Sequence, residues 1–231
     1  MMSGLAQAPA QTSNAFRIER EGDLAVVWFD LPGEKVNKFS STVMLEFSEV
    51  VAELERSPEL KRVVLASAKP SVFIAGADIT EFTKATSPEQ AKEYVRLGQQ
   101  TFHRWSKLPQ VTVAAINGAA LGGGCEISIN SDWRVMSSDP KARIGLPEVN
   151  LGIFPAWSGV TKLPRLVGLP AALDIILNGK QLDAKRAKRV GLVDEVVDPG
   201  ILIDVAKQFT TRGKRHGSSK TKFYIEGNPA M

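Results

Sequence analysis

Residues 111–128 read VTVAAIN and then GAALGGGCEIS. A run with the make-up of a buried strand leads into a stretch almost stripped of side chains, closed by a lone cysteine and a glutamate. Glycine lets backbone approach a ligand or another backbone closely. A carboxylate at the end of such a stretch points to chemistry; the plain alternative is a packing turn followed by a surface glutamate. Known uses of glycine narrow the choice. A P-loop ends in Gly-Lys-Ser/Thr, whereas here Gly124 is followed by Cys125 and Glu126. The dinucleotide fingerprint needs a third glycine at position 127, which is Ile. What remains is a strand, a bare loop and then ISINSDWRV, read as opening a helix. The unpaired N–H groups at a helix start suit a developing oxyanion better than a permanent phosphate.

Working outward, LAVVWFD (24–30) and RVVLAS (62–67) are further β-branched runs. Between them SSTVMLEFSEVVAELER (40–56) spaces Val43, Met44, Phe47, Val50, Val51 and Leu54 for one helix face, with Ser/Thr capping candidates before it. A second helical stretch, SPEQAKEYVRLGQQTFHRWSKL (87–108), ends at Pro109. Strand, helix, strand, helix, strand predicts parallel crossovers and a layered α/β fold. After residue 168 the pattern is helical through PAALDIILN, DAKRAKRVG and ILIDVAKQF, and beyond Gly213 it reads as loose. FIAGADI (73–79) is a second bare segment after a strand, able to offer one N–H to the same oxygen as the 122–124 loop. Glu148 lies in IGLPEVNLGIFP among apolar residues, where a carboxyl's pKa rises toward neutrality. If Glu126 and Glu148 converge, each further separates the other's titration.

Composition bounds the rest. The 231 residues suffice for one sizeable core, and 43% apolar with 23% charged residues is ordinary for a soluble globular protein. Cys125 is the only cysteine, so no intramolecular disulfide framework exists and a reducing compartment fits. With His103 and His216 remote and outside any motif, Cys125 reads as a small buried thiol, and one Cys with two scattered His makes no metal site. No apolar run is long enough to span a membrane. Residues 1–15 lack the features of a signal or transit peptide and read as a disordered leader of a cytoplasmic protein. The net charge is +4, and KQFTTRGKRHGSSKTK (207–222) holds six Lys/Arg and no acid. With Phe209 as its one aromatic residue, this run reads as a solvated tail or linker and not as a nucleic-acid site.

FIAGADI, INGAALGGGCEISINSDWRV and IGLPEVNLGIFPAWSGVTKLPRLVG, in that order, resemble the crotonase (enoyl-CoA hydratase/isomerase) superfamily. The likeness is greatest to the N-terminal hydratase part of the bacterial multifunctional fatty-acid oxidation α subunit, to which KVNKFSSTVM (35–44) and GKQLDAKRAKRVGLVDEVVDP (179–199) are also similar. It runs from about Phe16 to Pro199. The resemblance implies a ClpP/crotonase-like stacked ββα superhelix over 16–200, with the family's C-terminal helices largely missing. Residues 201–231 would form a helix and a basic tail, similar to the start of a linker to a dehydrogenase part.

The resemblance also assigns roles. Ala77 and Gly123 would form the oxyanion hole, and Glu126 and Glu148 the catalytic pair that hydrates trans-2-enoyl-CoA in fatty-acid β-oxidation, with double-bond isomerisation as a second activity. CoA would lie over Ala75, Gly76, Ala77, Asp78 and Ile79 and the Val36–Lys38 segment, with Gly122 and Pro147 also in contact with substrate. A moderately basic protein suits the phosphates of CoA. No cofactor is implied beyond the CoA of the substrate, and no nucleic acid or membrane span. A homotrimer is typical of the family, and association with a thiolase or dehydrogenase subunit follows from the multifunctional relatives. The family's Pro-Gly-x-Gly-Gly turn is replaced by Pro155-Ala156-Trp157-Ser158-Gly159, which predicts a reshaped loop near Glu148. A noncatalytic acyl-CoA-binding remnant of a truncated subunit is the alternative reading.

Overall fold

The computed structural model describes residues 14–84 and 87–215. In chain order the strands are β1 (Phe16–Glu21), β2 (Leu24–Phe29), β3 (Arg62–Ser67), β4 (Val72–Ile74), β5 (Val111–Ile116), β6 (Ala119–Leu121), β7 (Trp133–Ser137), β8 (Ile144–Gly145), β9 (Gln181–Leu182) and β10 (Glu195–Val197). The helices are α1 (Ser41–Glu55), α2 (Ile79–Lys84), α3 (Pro88–Lys107), α4 (Gly123–Ile129), α5 (Gly159–Val167), α6 (Leu169–Leu177), α7 (Ala184–Arg189) and α8 (Leu202–Phe209). Helix α1 begins where its capping candidates predict, with Ser40 accepting from the Val43 N–H, and α3 is capped by Ser87, which accepts from the Gln90 N–H.

The strands form two sheets, ordered β1-β2-β3-β5-β7-β10 and β4-β6-β8-β9. From β2 onward the larger sheet is parallel, as the alternation of strands and helices predicts. Short connections carry β3 into β4 and β5 into β6, so successive units place one strand in each sheet before a helix returns the chain. Alternate side chains of the larger sheet face opposite ways. Ala25, Val27 and Phe29 join the main core with Phe47, Phe102 and Trp105, while Val26, Val64 and Val113 meet Leu202, Ala206 and Phe209 of α8 on the other side. Strands buried on both faces read as continuous apolar runs, which is what made them legible.

The basic segment departs from its reading as a solvated tail. Lys207 pairs with Glu21. Lys214 donates to the carbonyls of Leu108 and Gln110 and pairs with Asp132 at 2.8 Å. Arg215 pairs with Asp194, which also holds the buried Arg134 guanidinium. These charges answer acids at the ends of β1, β7 and β10, an attraction that apolar periodicity does not register. Residues 216–222, and residues 1–13 of the leader, lie outside the described residues. Ala15 is buried and its carbonyl accepts from the Asp30 N–H, so the domain begins before Phe16.

A buried amide fixes the junction of the two sheets. The Asn37 Oδ1 accepts from the Leu31 N–H, and its Nδ2 donates to the Phe29 carbonyl, Ser67 Oγ and the Phe73 carbonyl. One side chain thereby ties the ends of β2 and β3 to β4. Removing it leaves several buried polar groups without partners, each costing about 1–3 kcal/mol. Asn37→Ala should destabilise the chain by about 3 kcal/mol in urea titration; a loss under about 1 kcal/mol would show that the junction is held by other contacts.

Candidate active site

The 36–39 segment runs beside the bare 75–78 loop. The Ala75 N–H donates to the Asn37 carbonyl, the Phe39 N–H to the Gly76 carbonyl and the Asp78 N–H to the Phe39 carbonyl. In such a parallel pairing the N–H of Ala77, opposite Phe39, points away from the partner segment. It turns toward the 122–124 loop, and a Cβ on Gly123 would stand 3.7 Å from the Ala77 nitrogen. Gly123 opens α4, so its N–H has no intrahelical acceptor, and no side chain caps that end. Among the described residues neither N–H has a backbone acceptor. Two free donors, which follow the neighbouring strands β4 and β6 of the smaller sheet, thus border one cavity.

That cavity has a volume of about 420 Å³ and is lined by Ala75, Gly76, Ala77, Ile79, Gly122, Gly123, Glu126, Pro147 and Glu148 among others. Sequence reasoning singled out all nine. Val36, Lys38 and Asp78 do not line it. Asp78 accepts from the Thr80 N–H and hydroxyl at the start of α2 and pairs with Lys38, which also reaches Glu34. Val36 is half-buried beside them.

Glu126 lies within α4 and is buried. Its Oε1 accepts from the N–H groups of Trp157 and Gly159, each at 2.8 Å, leaving Oε2 for the cavity. Burial pushes its pKa to about 8, with the neighbouring Glu148 charge pushing the same way and the two N–H donors opposing. Glu148 opens a short 3-10 turn, Glu148–Leu151, and burial lifts it to about 7. Its Oε2 is buried without a hydrogen-bond partner among the described residues. Gly122 makes room for it: at φ +52° a side chain is disfavoured, and a Cβ would come within 3.1 Å of Glu148 Oε1.

The altered turn keeps one non-glycine residue in the left-handed region. Ser158 adopts φ +99°, and its Oγ accepts from Asn130 Nδ2 at 2.6 Å. That bond helps offset the strain of a non-glycine residue in the left-handed region, about 1–2 kcal/mol. The turn therefore still presents two N–H groups to Glu126. Sequence reasoning missed the apolar side of the cavity, where Val95, Leu151, Phe154 and Trp157 lie. Trp157 was visible only as a departure from a glycine-rich pattern. Cys125 is fully buried and its thiol is pushed well up by burial, which fits a packing role. Among the described residues no cluster of His, Cys, Asp or Glu is arranged to hold a metal, and no helix is long and apolar enough to cross a membrane.

The Enoyl-CoA hydratase/isomerase family model matches residues 19–223. The fatty acid oxidation complex subunit alpha of Vibrio parahaemolyticus is 44% identical over 200 residues, 87% of this chain and 28% of that protein. The chain thus spans little more than a quarter of that relative. Among solved structures, an enoyl-CoA hydratase from Bacillus anthracis superposes with a TM-score of 0.80 at 30% identity, over 86% of this chain and 76% of that one. Human mitochondrial delta3-delta2-enoyl-CoA isomerase does so with a TM-score of 0.80 at 31% identity, over 86% of this chain and 77% of that one. The fold is that of the crotonases, as the sequence motifs predict.

The two raised carboxyls tie stability to pH. Glu126 ordinarily titrates at 4.5, so on raising the pH the unfolded chain loses this proton before the folded one does. Stability therefore falls as pH rises from about 4.5 to about 8 and then levels. Glu126→Gln has no proton to lose. It should match the parent near pH 4.5 and exceed it by on the order of 2–4 kcal/mol above pH 8. Urea titrations at both pH values read the gap; a gap independent of pH would contradict the raised pKa.

Proposed function

The chain belongs to the enoyl-CoA hydratase/isomerase family, and from that premise we propose that its cavity adds water to trans-2-enoyl-CoA thioesters, giving 3-hydroxyacyl-CoA. The observation that carries this reading is the meeting of the buried Glu126 and the half-buried Glu148 with two unpaired N–H groups, Ala77 and Gly123, around one cavity. The thioester oxygen would receive both N–H donors, which stabilise the negative charge that gathers there as C3 is attacked. Glu126, as carboxylate, takes a proton from water while the water oxygen bonds to C3. Glu148, as acid, gives its proton to C2. Transfer of one proton from Glu126 back to Glu148 through solvent completes the cycle. Both steps need the pair to hold a single proton, which burial favours near neutrality. With Glu126 raised to about 8 and Glu148 to about 7, that proton rests mainly on Glu126, so its passage to Glu148 precedes the attack. The reaction needs no cofactor beyond the CoA that arrives with the substrate.

A second reading, migration of the double bond from position 3 to position 2, is favoured by the free Oε2 of Glu148 and by the likeness to the human isomerase. There Glu148 alone would remove a proton from C2 and return it to C4. The two readings separate by substitution. Hydration of crotonyl-CoA, followed by loss of the conjugated thioester absorbance, should fall at least about 100-fold in both Glu126→Gln and Glu148→Gln. Isomerisation of a 3-enoyl-CoA should survive Glu126→Gln and be lost in Glu148→Gln. A folded parent chain that binds crotonyl-CoA and turns over neither substrate would overturn both readings and favour a noncatalytic acyl-CoA-binding role. The pH profile of kcat/KM for hydration should be a bell with limbs at about 7 and about 8; a flat profile over that range would exclude the glutamate pair as the proton carriers.

A further inference from the structure

Trp157 lines one side of the cavity that holds the glutamates. This indole is almost fully buried and stands edge-on to the rings of Phe39, Tyr94 and Phe102, at centroid separations of 5.3–6.0 Å. One edge reaches the oxyanion-side loop: a Cβ on Gly123 would lie 2.6 Å from Trp157 Cζ3. The opposite edge reaches α3, where a Cβ on Gly98 would lie 2.2 Å from Trp157 Nε1. The ring therefore bridges the space between α4 and α3, and three aromatic neighbours keep it from swinging aside.

A second cavity, also of about 420 Å³, lies against the same ring and shares Gln99, Phe154, Ala156 and Trp157 with the first. The bond from Gln99 Nε2 to the Ala156 carbonyl, at 2.8 Å, completes the partition beside the indole. The two chambers differ in chemistry. The first is predominantly apolar beyond the glutamates, whereas the second holds His103, Asn130 and Lys162. Lys162 has no acidic partner within ion-pair distance among the described residues.

We propose that Trp157 is a specificity-determining residue, the wall that restricts this site to short-chain acyl thioesters; this rests on the reading that the cavity takes an enoyl-CoA. With its carbonyl at Ala77 and Gly123 and its double bond between the glutamates, an acyl chain meets the indole within a few carbons. A longer chain would have to displace a ring held by Phe39, Tyr94 and Phe102, and would then put methylene groups beside an ammonium and an imidazole. Removing the indole joins the chambers and gives the chain a path along Phe154 and Ala156.

The test compares the parent chain with Trp157→Phe and Trp157→Ala. Trp157→Phe keeps a ring in the aromatic cluster and removes an indole N–H that has no acceptor, so it should fold even where Trp157→Ala does not. Both keep the backbone N–H that holds Glu126. The kcat/KM ratio for trans-2-dodecenoyl-CoA over crotonyl-CoA should rise about tenfold or more in Trp157→Ala and by a smaller factor in Trp157→Phe. A ratio that moves less than about twofold in every folded variant overturns the wall. Binding of lauroyl-CoA and butyryl-CoA, measured by calorimetry, reads the wall without turnover. A shift of preference toward lauroyl-CoA with no hydration anywhere would support the wall and overturn the hydratase reading. An unshifted preference would overturn the wall whatever the turnover.

Discussion

Backbone must meet backbone where the 75–77 loop faces the 122–124 loop, and the rest of the molecule is arranged around that approach. A Cβ on Gly124 would sit 2.2 Å from the Ile74 carbonyl oxygen, closer than any atoms pack. No side chain can stand there, so α4 seats directly on the end of β4. That seating carries the Gly123 N–H to the Ala77 N–H and turns Glu126 of α4 into the same space. The two donors and one carboxyl come from segments about fifty residues apart, yet their relative positions follow from one close contact between two loops. Asn37 serves the same end from the other side, since its bonds fix the strand ends from which the 75–77 loop departs.

Polar groups at the site are held in unequal ways. Asn37 satisfies the groups around it, whereas Glu148 keeps one buried oxygen bare and Glu126 receives N–H bonds on one oxygen only. A carboxyl so placed disfavours its charged form, and two of them side by side reinforce the effect. Full satisfaction would hold both ionised at neutral pH and leave the pair without a proton to exchange. The incomplete hydrogen bonding is therefore where the fold gives up stability and where, on the proposed mechanism, the reaction would gain its acid.

The large sheet was legible because β2, β3 and β5 are buried on both faces and read as unbroken apolar runs, and because α1 and α3 carry periodic faces and α1 a capping serine. The smaller sheet was not. β4, β6, β8 and β9 have two or three residues each, too few for an alternation to register. α4 starts inside the glycines and not at Ile127, because tertiary packing overrides the poor helix propensity of its first residues. The candidate site was legible to the extent that glycine and glutamate mark it. Ala77, Gly123, Glu126 and Glu148 each sit in a segment with an unusual composition, whereas Leu151, Phe154 and Trp157 are apolar residues whose role depends on which neighbours the fold brings. The basic run at 207–215 was misjudged for the converse reason: its partners, Asp132 and Asp194, are far away in sequence.

The interlock of Gly98 and Trp157 also bears on how this sequence can drift. While the indole is held by its aromatic neighbours, a side chain at 98 collides with it; a smaller residue at 157 removes that collision. Substitutions at the two positions are thus ordered in time, with 157 changing first and 98 only afterwards. A lineage that has filled position 98 cannot regain the tryptophan without first reverting to glycine. The pair behaves as a ratchet, and chains descended from this one would carry its direction in the residues found at these two sites.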